Sequence, residues 1–137
     1  MQRFNIRVYG ICINEQDEIL LSDETYNGHA FTKFPGGGLE WGEGTRDCLK
    51  REFLEEFQLE IAVGELFYLT DFFQVSAFSA YDQVISIYYR IDLPFEAIHH
   101  ELIGDKGERL RWKPLTELLE SDVTFPIDQQ VVRLLKG

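Results

Sequence analysis

The sequence predicts an α/β fold, a sandwich in which helices lie on both sides of a mixed β-sheet, in one domain over residues 1–137. Three observations predict it. Apolar and polar side chains alternate in several segments, a central segment repeats apolar residues every four positions, and the C-terminal segment has an amphipathic helical pattern. With 137 residues, 45% hydrophobic and 14% aromatic, the chain can bury one sizeable core.

The part of the chain before the central helix predicts short strands. In the first, Phe4, Ile6 and Val8 alternate with polar residues, which indicates a strand with one buried face. The next apolar run follows a turn-forming stretch, so these two strands are expected to form a hairpin. The predicted order is strand 3–13, turn 14–17, strand 18–21, polar loop 22–30 and strand 31–34.

The segment 44–57 predicts the central helix, because Leu49, Phe53 and Phe57 recur every four residues and form one apolar stripe. Packing this stripe on the sheet leaves the charged residues beside it at the rim of the contact. After it, the pattern predicts strands 59–73, 83–93 and 109–112, loops 75–81 and 94–107, and a short helix 115–119.

The chain is predicted to end in a second amphipathic helix. Ile127, Val131, Leu134 and Leu135 lie at positions i, i+4, i+7 and i+8, after a proline at position 126. Proline is favoured in the first turn of a helix, and the apolar stripe needs a partner. This helix is therefore expected to cover a sheet face.

The charge balance limits the choice of partners. The chain has 24 acidic and 13 basic residues, a net charge of -11, and a surface of that sign repels nucleic-acid backbones. No apolar run reaches transmembrane length and the first residues lack a secretory pattern, so we expect a cytoplasmic protein without a membrane partner. Cys12 and Cys48 lack the spacing of zinc ligands and are expected to be reduced, buried thiols.

Three glutamates of the central helix carry the most specific signal. Glu52, Glu55 and Glu56 lie at i, i+3 and i+4, which places their carboxylates on one face of a helix. Like charges about 5 Å apart repel by roughly 3 kcal/mol at an effective dielectric of about 20, so a bound cation is expected. Arg51, four residues before Glu55, relieves part of the repulsion. A solvated helix face is the competing interpretation.

A larger pattern surrounds these glutamates. It comprises Phe34-Pro35-Gly36-Gly37-Gly38, then Glu43, Arg51-Glu52, Glu55-Glu56 and Leu59. From Gly37 to Leu59 the spacing resembles the signature of the Nudix hydrolases, with Gln58 at the position where that family has glycine. In that family the glycine supplies a left-handed cap, which Gln58 can match only with strain, at a cost of roughly 1 kcal/mol, so the resemblance leaves the end of this helix open.

The resemblance implies a metal site for Mg²⁺ or Mn²⁺. Its four implied ligands are the backbone carbonyl of Gly36 and the carboxylates of Glu52, Glu55 and Glu56. One of these glutamates is also expected to help deprotonate the attacking water, and which one is open. In the same family pattern Arg51 orients a glutamate through an ion pair, and Glu43 supports the loop and the helix. The implied catalytic residues are thus the three glutamates and Arg51.

The implied reaction is Mg²⁺-dependent hydrolysis of a diphosphate linkage in a nucleoside diphosphate derivative, without an organic cofactor. A nucleoside triphosphate, a nucleotide sugar and ADP-ribose are the substrate types considered. One alternative is a noncatalytic Nudix-like nucleotide sensor. Another is a Ca²⁺-binding or structural acidic domain, but the sequence lacks a twelve-residue calcium loop. The expected partner is a small-molecule nucleotide, and the oligomeric state is open, with a homodimer as one option.

Residues outside the pattern have two interpretations each. The candidates are Lys33 and Arg7 for phosphate contacts, His99, His100, Glu101 and Glu108 for an additional metal ligand or base, and Trp41, Tyr9 and Phe31 for stacking on a base. The basic residues would equally suit structural ion pairs. For the loop residues a solvated position is favoured, and the aromatic residues would equally suit the core.

Overall fold

The computed structural model of the chain describes residues 1–98 and 100–137. In chain order the strands and α-helices within them are β1 Arg3–Ile11, β2 Glu18–Tyr26, β3 His29–Lys33, β4 Gly36–Gly38, α1 Thr45–Phe57, β5 Ala62–Leu69, β6 Asp82–Asp92, β7 Leu102–Ile103, β8 Arg109–Pro114 and α2 Pro126–Lys136. Short 3₁₀ helices occur at Phe95–Ala97, Leu115–Glu117 and Glu120–Asp122. The strand predicted over 59–73 is thus shortened to β5, and the helix predicted over 115–119 is a single 3₁₀ turn.

The strands divide between two four-stranded sheets. In the first the order is β4-β1-β6-β5, with β1 and β6 parallel, so that Arg3 lies opposite Asp82 and Ile11 opposite Arg90. Its other two pairs are antiparallel. In the second sheet the order is β3-β2-β8-β7 and every pair is antiparallel. The predicted α/β sandwich around a mixed sheet is confirmed, and the second sheet is an addition that the sequence pattern did not indicate.

Helices α1 and α2 pack on opposite faces of β1. Val8 belongs to the core cluster that contains Leu49 and Phe53 of α1. Tyr9 points to the other face and belongs to the cluster that contains Val131 of α2. The predicted single buried face is therefore wrong for the second half of β1, because each face meets a different helix there.

The predicted hairpin between the first two strands forms only near its turn. The backbone N–H of Leu20 donates to the carbonyl of Cys12 at 3.0 Å, but the strands then separate into different sheets. They separate because β1 pairs with β6 and β4 instead. Cys12, like Cys48, is a buried free thiol, as predicted.

The polar stretch 22–30 is a hairpin and not a loop. Strand β2 continues to Tyr26, and a two-residue turn at Asn27-Gly28 leads directly into β3. Both turn residues have positive φ, 50° and 79°, as a type I′ turn requires. The loop prediction was wrong because the end of β2 places polar side chains such as Glu24 in a cleft, which removes the usual hydrophobic alternation.

Helix α1 has the predicted apolar stripe. Leu49 and Phe53 are buried and Phe57 is partly buried against the same core cluster. The helix ends at Gln58 in the left-handed conformation, with φ of 56° and ψ of 37°. The backbone N–H of Gln58 donates to the carbonyl of Leu54 at 3.0 Å. The helix thus ends in a left-handed cap formed by a non-glycine residue, which settles the end of the helix that the sequence left open.

Helix α2 buries most of the predicted stripe, with one exception and two additions. Ile127 and Val131 are buried and Leu135 packs against the same core cluster, but Leu134 is 44% exposed, and Asp128 and Val132 are also buried. The hydroxyl of Tyr88 on β6 donates a hydrogen bond to Asp128, which holds this polar residue against the sheet. Apolar spacing alone did not indicate that a carboxylate would share the buried face.

The remaining connections agree in outline with the predicted loops. The loop predicted over 94–107 contains a 3₁₀ turn and the two-residue strand β7, while position 99 lies outside the described residues. The loop predicted over 75–81 is irregular apart from one bridge between Val75 and Gln83. Across the described chain, neither helix has both the length and the apolar character needed to span a lipid bilayer.

Candidate active site

The glycine run forms an edge strand against β1 that leaves no room for a side chain at Gly36 or Gly37. Gly36 has φ of 147°, and a Cβ there would collide with the carbonyl oxygen of Val8, so only glycine fits. At Gly37 a Cβ would collide with the carboxylate of Glu52. The backbone of β4 therefore lies directly between strand β1 and a glutamate of α1.

Arg51 is the centre of an ion-pair network that joins β4, the loop after it and α1. Its Nε and Nη2 donate to the two carboxylate oxygens of Glu43 at 2.9 and 2.7 Å, and Nη2 also donates to the carbonyl of Gly38 at 3.0 Å. Its Nη1 donates to Glu55 Oε1 at 3.2 Å and lies 3.5 Å from Glu52 Oε1. The hydrogen bonds from Arg51 lower the pKa of Glu43 to about 2, so this carboxylate stays charged.

The three glutamates of α1 differ in their surroundings. Glu52 packs on Gly37 and Glu56 lines the cleft, and both are partly buried. The Glu55 side chain is 60% exposed at the rim. Burial, followed by the charge of Glu52, raises the pKa of Glu56 well above its usual value. The structure thus places Glu52 and Glu56 where a cation would relieve their repulsion, with Glu55 outside them.

The oxygen donors fit a hard divalent cation. Mg²⁺ commonly takes one or two protein carboxylates and completes its shell with water and substrate phosphates. By chemical type, the carboxylates of Glu52 and Glu56 and the carbonyl of Gly36 are donors of this kind. Across the part of the chain that the structure describes, no three His, Cys, Asp or Glu side chains are already gathered as a metal cluster. An ion would therefore take part of its shell from water or substrate.

A cleft of about 700 Å³ extends from Glu56 over the parallel strand pair. Alternate residues form its floor, since side chains on one face of a strand repeat every second position. The floor consists of Arg3, Asn5, Arg7 and Tyr9 from β1 and Asp82, Val84, Ser86 and Tyr88 from β6. Four cations line the cleft, Arg3, Arg7, Lys33 and Lys106, together with five carboxylates, Glu24, Glu56, Asp82, Glu108 and Asp128. Both signs of charge are thus available to a metal–phosphate complex.

Lys33 and Arg7, the predicted phosphate contacts, both reach the cleft and both have partners within the protein. The Lys33 ammonium lies 2.9 Å from Glu24 Oε2. The Arg7 Nε donates to the Tyr9 hydroxyl at 3.0 Å, so this aromatic candidate is part of the cleft floor. Glu24 was missed at the level of sequence because its segment was predicted as a loop.

The far wall of the cleft is aromatic. The ring centroids of Phe31, Phe78 and Phe125 lie 5.2 to 5.8 Å apart. Nearby, Tyr88 donates a hydrogen bond to Asp128, which is 2% exposed, and burial raises the pKa of Asp128 to about 6. Of these five residues only Phe31 was a candidate from the sequence, because the others come from distant segments with no shared local signal.

Several predicted candidates lie away from the glutamates of α1. Trp41 is fully exposed and does not line the cleft. Glu101 lies 3.5 Å from Arg109 in an exposed pair, and His100 is exposed. His99 lies outside the described residues. For His100 and Glu101 the geometry favours the solvated interpretation, whereas Trp41 neither lines the cleft nor packs in the core.

Glu108, the alternative to Glu101 as an additional metal ligand or base, lines the cleft. It is buried, its Oε1 accepts the backbone N–H of Lys106 at 2.8 Å, and its charge contributes to the raised pKa of Glu56. The structure therefore adds one carboxylate to the vicinity of the helix glutamates. The sequence named Glu108 as a candidate but favoured a solvated position for it, because its place just before β8 gave no indication that it would be buried.

Comparisons with known proteins agree with this architecture. The chain matches the family model described as NUDIX domain over residues 3–135. Among solved structures it is similar to the E. coli ORF135 protein (23% identity, TM-score 0.73, covering 98% of this chain and 88% of that one). It is also similar to the MutT protein from Bacillus halodurans (19% identity, TM-score 0.71, covering 97% of this chain and 83% of that one). A third similar structure is the MutT NUDIX hydrolase from Burkholderia pseudomallei (14% identity, TM-score 0.74, covering 96% of this chain and 98% of that one).

No curated protein that was compared matches the chain. At these identities the similarity to solved structures shows the fold, and the Nudix fold is the one observed here. The family match shows more, since it spans nearly the whole chain. The chain therefore belongs to the NUDIX domain family, and with it to the Nudix-type pyrophosphohydrolases.

Proposed function

We propose that this chain hydrolyses a diphosphate linkage in a nucleoside diphosphate derivative and requires Mg²⁺ or Mn²⁺. The supporting observation is the position of Glu52 and Glu56, two partly buried carboxylates of α1 that meet Gly37 and the cleft. Arg51 attaches this helix to the preceding loop through Glu43. An oriented set of charged oxygens beside a cleft with cations favours phosphate chemistry over a solvated helix face.

The proposed roles follow from these positions. The metal ligands are the carbonyl of Gly36 and the carboxylates of Glu52, Glu55 and Glu56. A bound divalent cation would neutralise phosphate oxygens and lower the pKa of a coordinated water. Arg51 holds Glu55 at the rim through a hydrogen bond of 3.2 Å, so this carboxylate is oriented although it is exposed. The general base is one of the three glutamates.

The cleft suits a nucleotide better than a simple phosphate. The side chains of Phe31, Phe78 and Phe125 form an aromatic wall against which a nucleobase would pack, while Lys33 and Arg7 line the side nearer the glycine run. A nucleoside triphosphate, a nucleotide sugar and ADP-ribose are the proposed substrate types. A cytoplasmic location, a homodimer and the lack of nucleic-acid or membrane partners stay predictions from the sequence.

Phosphate release from a panel of these nucleotides in the presence of Mg²⁺ tests the proposal. Glu56→Gln should lower kcat by about a hundredfold or more, since a preorganised charge at the reacting centre is lost. Glu60→Gln makes the same change in charge at an exposed position beyond the helix and should leave kcat unchanged. Equal rates for wild type and Glu56→Gln would contradict the catalytic assignment. Nucleotide binding without phosphate release would indicate the noncatalytic sensor instead.

A further inference from the structure

Lys33 is a buried cation beside the glycine run. The residue is 3% exposed, and its ammonium lies 2.9 Å from Glu24 Oε2. The ammonium also donates to the carbonyls of Gly36 at 3.1 Å and Phe34 at 3.3 Å. An ammonium has three N–H donors, so the protein itself provides a partner for each of them. The charge is therefore held in place inside the protein.

The partner of Lys33 is fixed by the β2–β3 hairpin. Ser22 on β2 lies opposite Lys33 on β3, and the Ser22 hydroxyl donates to Glu24 Oε2 at 2.8 Å. One carboxylate oxygen thus receives both the hydroxyl and the ammonium. Because both strands belong to the same sheet, the ion pair is a rigid part of the cleft wall.

The ammonium acts on two groups that are proposed to bind metal. It donates a hydrogen bond to the Gly36 carbonyl, and its charge is among those that favour the ionised form of Glu56. Charges in a partly buried cleft are weakly screened by water and salt. A divalent cation at Gly36 and Glu56 would therefore share its oxygen donors with a positive charge that is already present.

We propose that Lys33 is a positioning residue whose ammonium holds the Gly36 carbonyl and balances negative charge at the metal site. Its positive charge opposes binding of a divalent cation until an anionic substrate enters the cleft. This inference rests on the proposed function, since it requires the metal site at Gly36 and Glu56. A diphosphate carries charge opposite to that of Lys33 and offsets its repulsion of the metal. Metal and substrate should therefore strengthen each other's binding by the same factor.

Neutralising Lys33 tests this directly in the substrate-free protein. Calorimetry should show Mn²⁺ binding about tenfold tighter in Lys33→Met and Lys33→Gln than in wild type, since a nearby like charge is removed. Lys33→Arg keeps the charge and should keep the weaker affinity. The matched control is Lys50→Met, which makes the same change in net charge at an exposed position of α1. A gain in affinity is a result that general damage to the fold would not produce.

The coupling between metal binding and substrate binding can be measured separately. Methylenediphosphonate is a diphosphate analogue whose P–C–P bridge is not hydrolysed, and its dissociation constant can be measured without Mn²⁺ and with Mn²⁺ in excess. The ion should tighten its binding by a larger factor in wild type than in Lys33→Met. Equal factors in the two proteins would overturn the coupling.

Neutral variants that bind Mn²⁺ no more tightly than Lys50→Met would overturn the proposal. If a neutral variant is unfolded without metal, Mn²⁺ should restore its folding, because the ion replaces the ammonium at the Gly36 carbonyl; failure to restore it also counts against the proposal. A wild type that neither binds Mn²⁺ nor hydrolyses any nucleotide contradicts the proposed function. If the wild type binds Mn²⁺ and hydrolyses a nucleotide, but neutralising Lys33 does not change the affinity for Mn²⁺, only the role of Lys33 is contradicted.

Discussion

Helices α1 and α2 cover opposite faces of the same strands, yet two glutamates of α1 and the aspartate of α2 lie in different environments. On α1, the partly buried Glu52 and the exposed Glu55 both lie beside the guanidinium of Arg51. On α2, Asp128 is 2% exposed and accepts a hydrogen bond from the Tyr88 hydroxyl. A position on an amphipathic helix therefore does not by itself decide whether a carboxylate is paired with a cation or buried. Glu52 and Glu55 have a cationic partner, whereas burial raises the pKa of Asp128 although the Tyr88 hydroxyl opposes this effect.

The largest expected effect comes from removing the cation on the α1 side. Arg51→Gln should lower the free energy of unfolding by about 4 kcal/mol, because it removes the hydrogen bonds that Arg51 donates to the partly buried carboxylate of Glu43 and to the Gly38 carbonyl, and hydrogen bonds to charged groups contribute about 1.5 to 3 kcal/mol each. Urea denaturation measures the change, and kcat should fall with it. Arg46→Gln is the matched control, since Arg46 also lies on α1 but donates to carbonyls at an exposed site. Equal losses in the two variants would contradict the central place of Arg51.

The α2 side should respond to pH instead. Asp128 has a pKa of about 6 in the folded protein against 3.8 ordinarily, so the folded state retains a proton that the unfolded state has released. Its contribution to stability is complete below pH 3.8 and is lost as the pH rises to about 6. Over that window wild type should lose roughly 3 kcal/mol relative to Asp128→Asn.

Urea denaturation of both proteins at several pH values measures this difference. Other titrating groups, Glu56 among them, are common to both proteins and largely cancel. Asparagine keeps an acceptor for Tyr88, so the variant isolates the charge. A stability difference that does not change with pH would show that Asp128 is ionised at low pH like an exposed carboxylate.

Mg²⁺ should distinguish the two helices. Wild type is expected to gain about 2.7 kcal/mol of stability at a hundredfold excess of Mg²⁺ over its dissociation constant. Glu55→Gln/Glu56→Gln on α1 should lose most of this gain, whereas Asp128→Asn on α2 should keep it. Thermal unfolding with and without Mg²⁺ provides the measurement. The same shift in all three proteins would argue against a metal site on α1.

The smallest expected effect concerns how the helices end. Helix α1 ends with Gln58 at φ of 56°, whereas α2 ends at Gly137. Gln58→Gly should raise stability by about 1 kcal/mol, since glycine adopts the left-handed conformation without strain. The melting temperature should rise while kcat stays unchanged, because Gln58 is exposed and does not line the cleft. A lower melting temperature would mean that contacts of the Gln58 side chain outweigh the strain.

The α1 side of the site could be predicted because its residues are close neighbours along the chain. The spacing of Glu52, Glu55 and Glu56 on one helix is enough to place them on one face, and Arg51 needs only one turn to reach Glu55. The contact between Gly37 and Glu52 joins positions only fifteen residues apart. Local geometry therefore carried most of that prediction, while the metal-binding and catalytic roles stay proposals.

The opposite wall of the cleft could not be predicted in this way. Phe31, Phe78 and Phe125 meet only after the hairpin, the loop before β6 and the start of α2 have packed together. Because residues 22–30 were predicted as a loop, Glu24 was not recognised as the partner of Lys33. These contacts depend on long-range strand pairing, for which the sequence carries no spacing rule.

The sequence by itself determined the α/β class, the position and apolar stripe of helix α1 and the crowding of its glutamates, because these depend on residues within a few turns of one another. Tertiary structure alone decided that the strands form two sheets and that β1 is buried on both faces from Val8. It also decided that Asp128 is buried and that the ammonium of Lys33 meets the Gly36 carbonyl. The physical reason is that burial and charge neighbours are properties of the packed chain, set by segments that are distant in sequence.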